Sequence, residues 1–342
     1  MLFYFSELNI RGNHAGTKAR NDVETILRKS GAKPINSRQF TLRSDEKDNI
    51  YSNVNSRVAL SKLFFDVMKV KNHSVFVQYP MLAFDFEEKF YRSIAKKNKL
   101  ILLVHDIHSL RIPNSMKLKK EIDLLNLADC LIVHNNFMKE KLCELGVNVS
   151  NILCLQLFDY LYYSDDTDIS TKTNDDIAFA GNLDKSIFLP SLIKENPSVK
   201  FGLYGPSREG RLSFVNATHY GSFPPDEIPG KLNAKYGLVW DGDSLNGASG
   251  PLGEYTRINN PHKLSLYLAA GIPVIVWRNA AVAELVTEYN IGLAVDRIDS
   301  ISEVLNEINA AKYEKMLQAV NSIKKEVIQG TFLDRVIKQL DV

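Results

Sequence analysis

Cysteine is scarce in this sequence. Cys130, Cys143 and Cys154 are odd in number and show no CxxC spacing. That excludes a disulfide framework and a thiolate metal knuckle, and reads as reduced core thiols in a cytosolic protein. Charge of one sign is lacking too: 42 Lys and Arg against 40 Asp and Glu leave a net +2. Nucleic-acid binding driven by bulk electrostatics needs a strongly basic balance, so that class is set aside. The local basic stretches Lys96–Lys99 and Lys117–Lys120 read as solvated helix faces, with contact to a membrane surface as the alternative. No apolar run approaches the roughly 20 residues of a membrane span. The opening MLFYFSELNI has neither the basic start nor the cleavage site of a signal peptide and reads as a first strand. Repeats with a period of 20–50 residues and low-complexity tracts are also missing. Neither GxGxxG nor GxxxxGK[ST] occurs, so the two best-defined nucleotide fingerprints are absent. What is present is 342 residues, 45% apolar and 24% charged, enough for two domains with a core each. The expectation is a soluble, cytoplasmic protein without a transmembrane segment.

The chain alternates strand-like and helix-like segments. Leu2–Leu8 reads as a strand and Asn9–Gly16 as a polar loop, followed by a helix over Thr17–Lys29 closed by Gly31. Ser74–Tyr79, Leu100–Val104 and Cys130–Val133 are apolar runs with helices between them, and Cys154–Phe158 reads as the last strand of this half. Such spacing implies βαβ crossovers and a parallel sheet covered on both faces. Tyr160–Asp176 is polar and acidic and reads as a linker. The pattern then restarts at Ile177–Ala180, Val199–Tyr204, Gly237–Trp240, Ile272–Trp277 and Ile291–Val295. Helical segments from about Ser300 finish the chain. The fold class expected is α/β, with two Rossmann-like parallel-sheet domains facing across a cleft. Residues 1–160 form the first domain and 161–325 the second, and a last helix over 326–342 packs back on the first. In open parallel sheets ligands bind beyond the carboxyl ends of the strands, so the residues after each strand are the candidates.

The stretch Asn259–Trp277, NNPHKLSLYLAAGIPVIVW, organises the second half. Pro261 suits the start of a helix and Gly271 its left-handed end. Pro273 then leads into the buried strand Val274–Val276. A helix N-terminus carrying Lys263 therefore precedes a parallel strand. Exposed amides beside a cation favour an anion, most naturally a phosphate; an ordinary αβ unit with a solvated lysine is the alternative. Arg11–Lys18 follows the first strand, where Gly16 permits close approach of a ligand and Thr17 can cap the helix or donate to a phosphate oxygen. A plain capped turn would look the same. At the end of Leu100–Val104 stand His105, Asp106 and His108, with Arg111 beyond. Asp106 can serve as a general base toward a sugar hydroxyl. His105 and His108 as metal ligands, or a polar strand end that only shapes the cleft, are the alternatives. Asp241-Gly242-Asp243 reads first as a cleft-lining turn and second as a DxD metal site. Gly181-Asn182 and Tyr204-Gly205 end two strands where a nucleotide can approach the backbone, and the Tyr204 ring either meets a base or packs. His73, His134 and His219 read as structural, and His14 stays open because of its loop.

The segments Ile177–Ser186 and Gly237–Gly242, with the PHK…AAGIPVI block, resemble the C-terminal donor domain of GT-B glycosyltransferases. The start Ala15–Asp22 and the run His105–Arg111 extend the likeness over nearly the whole chain. More narrowly, the chain is similar to the glucosyltransferases that act second in glycosylating serine-rich repeat adhesins of streptococci and lactobacilli. The resemblance implies a UDP-glucose or UDP-GlcNAc donor, transfer onto GlcNAc O-linked to adhesin Ser or Thr, no metal or other cofactor, and a homotetramer. Carried over by position, Gly16 and Thr17 meet the diphosphate from the first domain. Asn182, Tyr204, Asn260 and Lys263 hold the UDP from the second, with Gly205, Asn259, His262 and Tyr267 beside them. Lys263 neutralises charge on the leaving diphosphate. Asp106 or His105 faces the acceptor as the catalytic group, with His108 and Arg111 on the acceptor side. Many retaining GT-B enzymes carry two glutamates eight apart; here those places hold Ile258 and Leu266, and Glu254 is the nearest acid. The same AGxKAxND start and PHK block occur in bacterial galactofuranosyltransferases, the alternative within transferases along with other polysaccharide hexosyltransferases. A nucleotide-sugar epimerase and a non-catalytic, transferase-like binding subunit are the readings of other classes.

Overall fold

The computed structural model describes residues 1–6, 10–11, 15–35, 42–43, 65–81, 87–163, 174–208 and 212–341. The chain divides into two compact units, Met1–Gln156 with Phe332–Val342, and Leu157–Thr331.

In the first unit β1 (Leu2–Tyr4), β2 (Ile10–Arg11), α1 (Ala15–Lys29), β3 (Lys33–Pro34), β4 (Leu42–Arg43) and β5 (Ser74–Tyr79) come first. They are followed by α2 (Glu87–Ala95), β6 (Lys99–Val104), α3 (His108–Arg111), α4 (Ser115–Leu125), β7 (Cys130–Val133), α5 (Asn136–Glu144) and β8 (Asn151–Cys154). Six strands form one sheet in the order β3-β1-β5-β6-β7-β8, every pair parallel. β2 and β4 pair separately. All six residues of β5 are buried, as are those of β6 after Lys99. Continuous apolar runs of this length are what a parallel sheet covered on both faces requires. One strand is displaced from its expected place. The run Cys154–Phe158 is not the last strand; that strand is Asn151–Cys154. Gln156 takes a left-handed φ of 69°, which ends the extended backbone, while Leu155, Leu157 and Phe158 are buried all the same. The Leu155 and Gln156 amides still donate to Val133 O at 2.8 Å and His134 O at 2.9 Å, so the apolar run outlasts the strand because burial continues past the turn at Gln156.

The second unit carries β9 (Asp175–Ala180), α6 (Leu189–Glu195), β10 (Phe201–Tyr204), β11 (Ala217–Gly221), a 3-10 turn (Ile228–Gly230), β12 (Ala234–Val239) and α7 (Gly250–Tyr255). α8 (His262–Ala270), β13 (Val274–Trp277), α9 (Val282–Glu288), β14 (Gly292–Val295), α10 (Ile301–Asn306) and α11 (Ala310–Gln329) complete it, and α12 (Thr331–Ile337) follows. Its sheet runs β11-β10-β9-β12-β13-β14, again all parallel. The first strand of the unit is thus central, the next two lie on one side and the last three on the other. That is the Rossmann order, whose ligand crevice opens where the strand order reverses, here between β9 and β12. β11 is an edge strand with mostly exposed residues, so no apolar pattern announces it. The expected linker also begins late: Tyr160 and Leu161 are buried, with Tyr160 donating its amide to Val327 O at 3.0 Å and its hydroxyl to Pro225 O at 2.7 Å. Asp175 and Asp176 already belong to β9, and residues 164–173 lie outside the described residues.

Candidate functional site

In the second unit the loops after β9, β10 and β12 and the start of α8 come together. Pro261 is the N-cap of α8 and offers no capping side chain, and the first turn holds no acidic residue. The helix start is therefore left without the usual N-cap side chain, and the Leu264 amide donates to Pro261 O at 3.0 Å. Gly271 closes it in the left-handed conformation, φ 81°, as its position predicts. Lys263, the second residue of α8, reaches across the strand-order reversal. Its Nζ lies 2.8 Å from Asp241 Oδ1 and 3.3 Å from Trp240 O, both beyond β12. The same ammonium stands 4.8 Å from the centre of the Phe179 ring on β9, a cation–π distance. The lysine side chain is 18% exposed and that of Asp241 36%, so the pair is reachable by a ligand. Asp241 is thus the counter-ion of Lys263. Among the described residues no group of three or more His, Cys, Asp or Glu side chains is placed to hold a metal ion.

The glycine after β10 is dictated by its neighbour. A Cβ on Gly205 would lie 1.8 Å from Gly181 O, and its φ is 138°; no L side chain fits there. Gly181 donates its amide to Tyr204 O at 2.9 Å and Gly205 its amide to Gly221 O at 2.8 Å. The His219 ring nitrogen Nε2 is 2.8 Å from Gly205 O. Asn182 is exposed and its Oδ1 accepts the Lys185 amide at 3.1 Å.

The two tyrosines expected beside the UDP have other work. Tyr204 is 1% exposed, stacks on Tyr220 at 4.9 Å, and its hydroxyl accepts the Asn233 amide at 3.3 Å. Burial pushes its pKa up to about 12. Tyr267 is fully buried; its hydroxyl accepts the Ala180 amide at 2.8 Å and lies 3.3 Å from Ala178 O. Burial raises its pKa as well. Both rings pin the sheet beneath the loops, and any contact of Tyr204 with a ligand would be through backbone. His262, first residue of α8, packs its ring 5.1 Å from that of Tyr160 and edge-on to Phe158 at 6.2 Å. Asn260 is buried, and the Asn259 Oδ1 is buried with no hydrogen-bond partner among the described residues. Glu254 pairs with Arg257 at 2.7 Å on the exposed face of α7.

In the first unit the strand order reverses between β1 and β5, and the second group lies at that end. Gly16 and Thr17 are inside α1, which starts at Ala15. Thr17 is therefore not the N-cap, and the residue is buried. Lys18 and Asp22 form a buried ion pair at 2.8 Å. Arg20 donates to Pro80 O at 2.5 Å. His14 lies outside the described residues. The His105 Nε2 is 2.8 Å from Gln78 Oε1, while Gln78 Nε2 donates to Arg20 O at 3.4 Å. The Gln78 side chain thus links the end of β6 to α1. Asp106 is ion-paired with Arg111 at 2.7 Å, and His108 is exposed at the start of α3. His134, behind this segment, is 2% exposed with Nε2 at 3.1 Å from Val104 O. Burial holds its pKa down at about 4 against the opposing pull of Asp106.

Reading the sequence missed Gln78, Arg20, Glu121 and the pairing role of Asp241. Gln78 carried one signal, a polar residue inside the apolar run SVFVQY. Glu121 was hidden in a basic stretch, and its partners come from other elements.

Two family models match in tandem: "Glucosyltransferase 3-like, N-terminal domain" over residues 3–157 and "Glucosyltransferase 3-like, C-terminal domain" over 177–340. Beta-1,6-galactofuranosyltransferase WbbI of Escherichia coli K12 is 28% identical over 99% of this chain and 98% of its own length. Glucosyltransferase 3 of Streptococcus gordonii is 28% identical over 95% and 94%. Among solved structures, sucrose-phosphate synthase of Thermosynechococcus elongatus superposes with a TM-score of 0.63 at 12% identity, covering 99% of this chain and 98% of that one. A trehalose-6-phosphate structure from E. coli bound with UDP-2-fluoro glucose gives 0.60 at 10% identity, with 99% of each covered. These neighbours share the GT-B fold. The chain belongs to the glucosyltransferase 3-like family and is a glycosyltransferase with the GT-B fold.

Proposed function

We propose that this glycosyltransferase uses a UDP-sugar and moves glucose, or N-acetylglucosamine, onto GlcNAc O-linked to Ser or Thr of a serine-rich repeat adhesin. The observation that carries the donor half is Lys263. Its ammonium stands at the strand-order reversal beside the start of α8, whose N-cap Pro261 offers no capping side chain, so a diphosphate finds both a cation and a helix N-terminus there. The structural neighbour bound with UDP-2-fluoro glucose supports the donor class, and the streptococcal relatives named glucosyltransferase 3 support the sugar. In the reaction an acceptor hydroxyl oxygen bonds to the anomeric carbon while the bond from that carbon to the β-phosphate oxygen breaks. UDP leaves with the electron pair. Lys263 and the α8 amides stabilise the charge that develops on it, and His105 or Asp106 takes the hydroxyl proton. We propose that this charge stabilisation needs no metal. The homotetramer implied by the resemblance and the cytoplasmic location expected from composition belong to the same reading.

A second reading has its own observation. The galactofuranosyltransferase is as similar as the streptococcal glucosyltransferase and is matched over slightly more of both chains. In that case the donor carries galactofuranose and the acceptor is a polysaccharide precursor. Incubating the protein with a GlcNAc-modified Ser-rich peptide and UDP-Glc, UDP-GlcNAc, UDP-Gal or UDP-galactofuranose, with and without EDTA, separates the two. A hexose or N-acetylhexosamine increment in peptide mass that survives EDTA is the expected result. An increment lost with EDTA would remove the metal-free step. UDP binding with no increment from any donor would remove the peptide acceptor.

A further inference from the structure

The His105–Arg111 segment is held from behind by a carboxylate outside the proposed reaction. α3 opens without a cap of its own, because Ile107 has no side-chain acceptor and a helix start leaves N–H groups unsatisfied. Glu121, on α4 and 9% exposed, fills that place. Its Oε1 accepts the His108 amide at 3.1 Å and its Oε2 the Ser109 amide at 2.8 Å. The same Oε1 accepts the Tyr79 hydroxyl at 3.1 Å. Tyr79 is also the residue whose carbonyl accepts the His105 amide at 2.7 Å. The carboxylate thereby closes a ring: the end of β5 holds the start of the segment through Tyr79 O and its helical end through the Tyr79 hydroxyl and Glu121. A buried carboxylate is costly unless its oxygens are used in this way.

We infer that Glu121 is the positioning residue of the acceptor segment, fixing where His105, Asp106, His108 and Arg111 are presented. It touches none of the reacting atoms itself. This rests on the reading of that segment as acceptor-facing. A carboxylate kept only for stability would alter melting and leave the kinetics of the folded enzyme unchanged.

The test compares Glu121→Gln, which keeps the shape and loses an acceptor oxygen, with Glu121→Ala. Four quantities are read on the full chain: UDP affinity by calorimetry, hydrolysis of the UDP-sugar by water, kcat and KM for the GlcNAc-peptide, and amide exchange over residues 105–112. UDP affinity is expected to stay within about twofold of the parent, while hydrolysis, which draws on the same base, falls along with transfer. Transfer kcat/KM should fall on the order of 100-fold in Glu121→Ala, the scale of an ångström-sized misplacement, and about 10-fold in Glu121→Gln, with faster exchange in both. Unchanged transfer and exchange would overturn the inference. So would an equal drop in affinity, hydrolysis and transfer, which is the mark of general damage. If the parent binds UDP but transfers nothing to the peptide, the acceptor reading fails. The exchange rates then decide alone: faster exchange upholds Glu121 as the anchor, and unchanged exchange removes it.

Discussion

Lys263 shows how one side chain concentrates a binding function. Its ammonium stands over the Phe179 ring and is shared between Asp241 and the Trp240 carbonyl, so its position is set before any ligand arrives. Preorganisation of this kind is what makes a cation effective toward a developing charge. Lys263→Ala should weaken UDP binding on the order of 100-fold, the loss expected for a charge-assisted hydrogen bond. Calorimetry with UDP alone reads it, and unchanged affinity would move the diphosphate elsewhere. His134 gives the residue scale its pH dependence. Its folded pKa is near 4 because burial penalises the imidazolium, below the ordinary value near 6.5. Above about 6.5 both folded and unfolded rings are neutral, and the contribution is complete. As pH falls toward 4 only the unfolded ring takes a proton, so stability is lost through that window. Between pH 7 and pH 5 the loss is about 2 kcal/mol. The unfolding midpoint of His134→Gln should therefore fall less over that interval than that of the parent.

At the scale of elements, α8 and β9 are locked by Tyr267. The hydroxyl satisfies the Ala180 amide from a helix that packs on the sheet. Tyr267→Phe leaves that buried N–H without its partner, at a cost of about 1–3 kcal/mol. Thermal unfolding of the second unit should drop accordingly while UDP affinity stays within about twofold. A large loss of affinity instead would mean that the hydroxyl reaches the ligand, as its place among the donor residues implied. The β9 and β10 turns have no such tolerance, since the Gly205 and Gly181 backbones already meet.

At the scale of the whole molecule the chain crosses between its units twice, and its last residues return to the first. Phe332, Leu333, Val336, Ile337 and Leu340 are buried, so the first unit is built from both ends of the sequence. Leu333→Ala should destabilise that unit by about 2–5 kcal/mol, the cost of a core truncation. Amide exchange in residues 1–156 should quicken while that in 175–330 stays as it was. Faster exchange confined to 175–330 would place the tail's partner in the other unit. No helix among the described residues is long and apolar enough to cross a membrane.

The sequence alone determined what local periodicity and punctuation can encode. Apolar runs named most strands of both sheets, Pro261 and Gly271 bounded α8, and the PHK block put a lysine at a helix start. These features depend on residues within a turn or a strand of one another, where propensity and pattern act directly. The tertiary structure alone decided the rest. Gln156 ended a strand that hydrophobicity extended, and the exposed edge strand Ala217–Gly221 had no pattern to show. Tyr204 and Tyr267 were turned into the core, Asp241 was given to Lys263, and Glu121 was brought beneath the segment it caps. Each of those outcomes joins groups separated by a dozen residues or more, whose meeting is set by the crossovers of a parallel sheet and by the cost of leaving a buried polar group unpaired.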